Sequence, residues 1–264
     1  MQAGGRAWVL RLAPGPVDEA DLAWEHDVVR RLAERLPQVC APVRGRDGAT
    51  WFRVGDRAAT LLPLLPGAPA DPRRPAHRDA AAEALGRLHA AATGLEAGPR
   101  PGLDPLPETA WPPLRAPAPL AAHTAEIGAA RSWAIAEVRR IAEGRAPRTG
   151  LVHGDFFPGN VLVGDDGLTG LLDWEQLQPD WLSWDLANAI GTFCVLRGAF
   201  DRAAARRFVA RYREAGGTAP GEEEDLLVPL MRVKRVLEVL RAPTDRAPRW
   251  EHQRENVRIL RSLA

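Results

Sequence analysis

Leu151-Val-His-Gly-Asp-Phe-Phe-Pro-Gly-Asn160 runs directly into Val161-Leu-Val-Gly-Asp-Asp-Gly-Leu-Thr-Gly-Leu-Leu-Asp173-Trp-Glu175, and the reading of the chain turns on this stretch. Residues 161–163 and 168–172 are short apolar runs of strand type. Gly164-Asp-Asp-Gly167 between them is hairpin-turn chemistry. A turn centred between Asp165 and Asp166 sets Asn160 opposite Leu171. Asp173 then falls just beyond, at the same open end, and Asp155 arrives on the loop before. One carboxamide and two carboxylates converge. Hard oxygen donors of this kind suit Mg²⁺, which takes few protein ligands and fills its shell with phosphate oxygens. A further acid nearby can accept a proton from an attacking hydroxyl. These are the parts that phosphoryl transfer needs, because it is catalysed mostly by positioning and charge neutralisation.

Working outward, residues 6–12 read as a strand that Pro14 and Pro16 break. Residues 18–36 have helical periodicity through Leu22, Val28, Val29, Leu32 and Leu36, with Asp18 or Asp21 as cap. Residues 50–54 and 59–65 read as strands joined at Gly55-Asp56. The Pro-, Gly- and Ala-rich residues 67–75 mark a lobe boundary. Residues 78–93 form an alanine-rich helix. Residues 98–119 carry too many prolines for a helix and read as a surface loop. Helices are expected over 123–144, 184–196, 203–215, 226–240 and 250–263, with 176–183 as loop. The class is α+β in two lobes, a small strand-rich lobe over 1–66 and a larger helical lobe over 67–264.

Composition narrows the function. The 264 residues are ample for a buried core. Lys plus Arg is 35 against 34 for Asp plus Glu, so net charge argues for neither nucleic acid nor an anionic membrane. Lys234 is the sole lysine, so any step that needs one has one candidate. Cys40 and Cys194 form no CxxC pair, which fits a reducing compartment. The longest apolar stretch, 186–196, is too short to span a bilayer, and no secretory leader is read at the start. The expectation is a cytoplasmic protein with no membrane or nucleic-acid partner.

His153-Gly-Asp155 with Asn160 five residues on, then Asp173-Trp-Glu175, resembles the aminoglycoside phosphotransferase and choline kinase-like branch of the protein kinase-like fold. The likeness covers much of the chain. Residues 83–92, with Leu88-His-Ala90, resemble the helix that opens the family's large lobe. Asp185-Leu-Ala187 resembles its Asp-Leu-Ala, and residues 60–67 its hinge strand, with Leu62 and Leu64 facing the nucleotide. The resemblance implies ATP or GTP with Mg²⁺ as cofactors. It implies that Asp155 orients or deprotonates the acceptor hydroxyl, that Asn160 and Asp173 hold Mg²⁺, that His153 supports the loop and that Asp185 buttresses it.

Three departures stand out. No glycine-rich loop precedes the first strand: Gly4-Gly5 is too short for one, so the small lobe reads as truncated. The strand lysine is replaced by Arg11, which can bind phosphate bidentately. Glu25 is placed to pair with it. Trp174 and Glu175, rather than Phe and Gly, follow the metal aspartate, which points to small-molecule substrates.

The acceptor expectation is a hydroxyl of an antibiotic, amino-sugar or natural-product intermediate. Glu175, Asp180 and Trp181 are the acceptor-site candidates, with Trp174, Trp184 and Trp111 as further aromatic walls. The acidic run Glu222-Glu-Glu-Asp225 reads as a helix start. Trp250 with Arg246 and Arg249 gives no readable site. Two alternatives compete. One is a kinase-like component that phosphorylates Ser or Thr of a peptide, its small lobe completed by a partner protein. The other is a pseudokinase that only binds. Zinc hydrolysis lacks a second histidine cluster, and nucleic-acid binding lacks a basic stripe.

Overall fold

The structure is a computed structural model that describes residues 2–3, 6–102, 124–144, 146–196 and 198–240. The expected helix over 250–263, Trp111, Arg246, Arg249 and Trp250 lie outside the described residues.

The chain opens with β1 (Gln2–Ala3) and β2 (Arg6–Leu12), then α1 (Glu19–Arg35), β3 (Phe52–Val54) and β4 (Arg57–Pro63). These strands form one antiparallel sheet in the order β1-β2-β4-β3. The small sheet therefore has one more strand than the sequence reading gave it, because Gln2–Ala3 folds back on Arg6-Ala7. Asp18 caps α1, its side chain accepting from the amides of Ala20 and Asp21. The inward face of α1 carries Val28, Val29 and Leu32, and also Glu25 and His26. Two titratable side chains on a buried helix face already mark that face as more than packing.

β5 (Ala68–Pro69) lies in the segment read as a boundary. It pairs antiparallel with β7 (Val161–Gly164), so the strand leaving the small sheet docks directly on the site hairpin. Between them come α2 (Pro75–Ala92), α3 (Thr124–Glu143) and β6 (Thr149–Val152). Pro75 opens α2 at a position where its missing N–H costs nothing. Gly86 lets α2 approach the later α5 (Arg202–Glu214), since a Cβ there would stand 2.3 Å from the Tyr212 carbonyl oxygen.

β8 (Gly167–Leu171) completes the hairpin, followed by β9 (Gln178–Trp181), α4 (Leu182–Phe193), the short pair β10 (Val195–Leu196) and β11 (Ala199–Phe200), then α5 and α6 (Leu227–Leu240). Buried side chains of α1, α2, α4, α5 and α6 belong to one core cluster. In its centre Phe156, Phe193 and Phe208 stack in sequence, with ring centroids 6.1 and 5.8 Å apart. Truncating one such ring to alanine costs about 3–5 kcal/mol.

Two expectations need correction. The register of the hairpin is shifted by one. Val163 pairs with Leu168, but Leu162 pairs with Gly170, because Thr169 bulges out and donates to the Pro66 carbonyl. Asn160 therefore faces Leu172, whose amide it accepts at 2.9 Å, rather than Leu171. The second correction is β9. Residues 178–181 read as loop in the sequence, since Pro179 and the lack of alternation hide the strand, yet they pair with β6 throughout. The acidic run at Glu222 starts a short 3₁₀ turn, Gly221–Leu226, that leads into α6.

Candidate active site

Asp155 and Asn160 sit on one tightly held loop. Gly154 before them has φ 78°, and a Cβ there would lie 2.2 Å from the Gln176 carbonyl oxygen, so only glycine fits. His153 is fully buried. Its Nδ1 accepts from the Asp155 amide at 3.3 Å and its Nε2 lies 2.9 Å from the Leu172 carbonyl oxygen. That pattern assigns a neutral ring with the proton on Nε2, and burial pushes its pKa down in agreement. The Asn160 Nδ2 donates to the Asp155 carbonyl at 3.0 Å. This ties down the amide nitrogen and leaves the carboxamide oxygen as the end available to a cation.

Below the loop lies Asp185, wholly buried. Its carboxylate takes the amides of His153 at 2.7 Å and Gly154 at 3.1 Å, and His89 Nε2 at 3.2 Å. His89 in turn accepts from the Tyr212 hydroxyl at 2.7 Å, which takes the Ala219 amide at 2.8 Å. Burial alone would raise the Asp185 pKa, but the hydrogen bonds it accepts from His89 and from the amide of His153 outweigh it and the net shift is downward. The lone lysine is here too. Lys234 of α6 donates to the Gly154 carbonyl at 3.0 Å. Asp155 itself is half-buried. Burial raises its pKa, and the Lys234 charge opposes that shift.

Asp173 comes off the end of β8 with φ 60°, the one positive φ outside glycine among the described residues. A strained backbone at a carboxylate marks a position held for a purpose. Asp173 and Asn160 line the same cleft of about 650 Å³ between the small sheet and the hairpin, a size suited to a small organic ligand. Leu62, Leu64 and Thr60 of the opposite wall line it as well, as do Arg11, Glu25 and Glu175. Among the described residues no group of three or more His, Cys, Asp or Glu side chains converges as a metal cage. The oxygen set of Asn160 and Asp173 fits Mg²⁺ nonetheless, since that ion keeps most of its shell for water and phosphate. A cation already answers the field of Asp173: Arg11 Nη2 lies 3.1 Å from its Oδ1.

The expected pair of Arg11 with Glu25 is not formed. Arg11 binds Asp173 and Glu175. Glu25 binds Arg100 at 3.1 Å. Arg100 falls in a stretch expected as surface loop, yet it is buried, binds α1 and borders the same cleft. Glu175 does face the cleft, but its partner is Arg11. Asp180 does not line this cleft. It is buried on β9, where it takes the Trp181 amide at 2.7 Å and Gln178 Nε2 at 3.0 Å. Burial lifts its pKa to about 6. Trp181 caps the start of α4 and packs against the core rather than lining the cleft. Trp184 is buried with its ring 5.8 Å from Lys234 Nζ, and Trp174 alone of the three borders the cleft. Arg100, Lys234 and His26 were the residues that no motif pointed to, although the uniqueness of Lys234 was visible.

A small antiparallel sheet ahead of a larger helical part, with β5 paired to a hairpin that has Asn160 before it and Asp173 after it, is a protein kinase-like fold. The model of the phosphotransferase enzyme family matches residues 1–227, and the chain belongs to that family as a small-molecule O-phosphotransferase. The homoserine kinase of Gluconacetobacter diazotrophicus is 30% identical over 233 residues, covering 86% of this chain and 71% of its own. That of Rhodopseudomonas palustris is 32% identical over 231 residues, covering 85% and 68%. The chain thus spans about two thirds of the length of these curated relatives. Among solved structures, a microcompartment-associated aminopropanol kinase superposes with TM-score 0.74 at 18% identity, over 98% of this chain and 85% of its own. An amicoumacin kinase in complex with AMP-PNP, Ca²⁺ and Ami superposes equally, at 0.74 and 13% identity, over 98% and 82%. These likenesses establish the fold. No helix among the described residues is long and apolar enough to cross a membrane.

Proposed function

We propose that this chain transfers the γ-phosphoryl group of ATP, with GTP as the alternative donor, to a hydroxyl of a small amino-alcohol. The observation that carries the reading is that Asn160 and Asp173 line one cleft while Asp155, on the loop before, is tied to Asn160 through its backbone carbonyl. In this reading residues 1–66 face the nucleotide and 67–264 carry the catalytic loop and the acceptor. Leu62 and Leu64, which line the cleft, would border the base. Asn160 and Asp173 hold Mg²⁺, which when bound neutralises charge on the nucleotide phosphates. Arg11 turns from the carboxylates to the phosphate oxygens. Asp155 accepts the hydroxyl proton as the new oxygen–phosphorus bond forms and the bond to the leaving ADP breaks. Its half-buried setting favours that proton, because burial raises its pKa.

The curated relatives supply the first acceptor to try, homoserine. The test is incubation of the protein with Mg·ATP and a panel of homoserine, aminopropanol, an aminoglycoside and a serine peptide, with phosphate monoester formation followed by ³¹P NMR. Transfer to a small hydroxyl compound, lost in Asp155→Asn, supports the proposal. Transfer only to the peptide favours the peptide-kinase reading. Nucleotide binding without transfer to any hydroxyl leaves a binding module.

A further inference from the structure

We infer that Arg100 is a positioning residue that fixes α1 to the segment carrying Asp173 and Glu175 and so sets the affinity for the magnesium nucleotide; this rests on the phosphotransferase reading above. A guanidinium has five N–H donors. In Arg100 every one is used. Nε and Nη2 bind the Asp21 carboxylate at 2.5 and 3.0 Å. The second Nη2 proton goes to Glu25 Oε2 at 3.1 Å. Nη1 gives its two protons to the carbonyls of Glu175 and Leu177, both at 2.8 Å. Two carboxylates come from α1, and two carbonyls from the chain just past Asp173. The side chain is 4% exposed, and its bonds to Glu25 and to the Leu177 carbonyl are buried away from competing water.

The loop that bears Arg100 is held to the same helix independently. The guanidinium lies 5.6 Å from the Trp24 ring, and Trp24 Nε1 donates to the Ala97 carbonyl at 2.7 Å. Arg31 donates to the Glu96 carbonyl at 2.9 Å. The consequence for the cleft is a division of labour between two arginines. With Glu25 engaged by Arg100, Arg11 is left to face Asp173 and Glu175. A lysine cannot substitute for Arg100, because one nitrogen cannot reach four acceptor groups on two elements.

The test uses the full chain and the variants Arg100→Lys and Glu25→Gln, with Arg100→Gln added if it folds. Hydrogen exchange is read by mass spectrometry, and Mg·AMP-PNP affinity by calorimetry with and without EDTA. Arg100→Lys should raise exchange in residues 173–178, where the Leu177 amide is bonded to the Trp174 carbonyl, and in α1, while α5 and α6 keep wild-type protection. It should weaken Mg·AMP-PNP by roughly 10–100-fold, the usual cost of losing a supporting contact behind a metal site. Glu25→Gln should give a smaller loss that adds nothing in the double variant. Unchanged exchange at 173–178, or a uniform loss of protection that includes α5 and α6, overturns the inference. If wild type binds no magnesium nucleotide, the phosphotransferase reading fails, and the exchange pattern still decides the role of Arg100.

Discussion

The guanidinium of Arg11 on β2 lies 3.1 Å from the carboxylate of Asp173 at the end of β8, so the two lobes meet charge to charge across the cleft. Both side chains are substantially solvent-exposed, at 35% and 43%. The contact therefore holds little energy by itself, and a phosphate can take Arg11 over. Arg11→Ala should raise the KM for Mg·ATP roughly tenfold or more, given about 1.5–3 kcal/mol for a hydrogen bond to a charged group. The acceptor KM should stay within about twofold of wild type. Steady-state kinetics with each substrate varied in turn checks this, and equal rises in both KM values would count against it.

Asp155→Asn keeps the shape of the loop, because the Asn160 bond goes to the Asp155 backbone carbonyl and not to its carboxylate. It removes the proton acceptor. The expected result is a kcat lower by roughly 10²–10⁴-fold with nucleotide affinity nearly unchanged. Single-turnover kinetics beside calorimetry separates the two effects.

Asp185 supports stability rather than chemistry. It closes the chain from Tyr212 through His89 to the amides of His153 and Gly154, with no exposure to solvent. Removing one member of such a buried set costs about 3–5 kcal/mol. For a chain of this size Asp185→Ala should lower Tm by roughly 10 °C. Thermal unfolding followed by circular dichroism measures it, and a shift of only a degree or two would show that the network is dispensable.

His26 makes stability depend on pH. Its Nδ1 is 2.8 Å from Thr50 Oγ1, and burial, helped by the charge of Arg11, lowers its pKa from 6.5 to about 4. Between those values the unfolded chain binds a proton that the folded chain refuses. Stability from this group is thus complete above pH 6.5 and lost as pH falls toward 4, by at most about 3 kcal/mol. His26→Gln should flatten the fall in Tm between pH 6.5 and 4 relative to wild type. Parallel slopes in the two proteins would rule the effect out.

The parts legible in the sequence are those governed by local chemistry. Asp18 capping α1, the strand over residues 6–12 and the turn at Asp165-Asp166 follow from residue type and spacing within a few positions. Asn160 and Asp173 reach the same cleft because a hairpin of local sequence joins them. The hairpin register was missed by one because the Thr169 bulge depends on a bond to Pro66, more than a hundred positions away. Arg100 was invisible for the same reason: nothing in a proline-rich loop shows that it will meet Asp21 and Glu25. For Asp180, an acid near the loop reads the same in sequence whether its strand turns it in or out. Here β9 turns it in.

Calorimetric titration of Mg·ATP into wild type and into Asp173→Ala tests the central claim most directly. The account predicts binding that requires Mg²⁺ in wild type and disappears in the variant, while circular dichroism shows both proteins folded. Absence of binding to wild type, or binding to Asp173→Ala that keeps its full dependence on Mg²⁺, would contradict it.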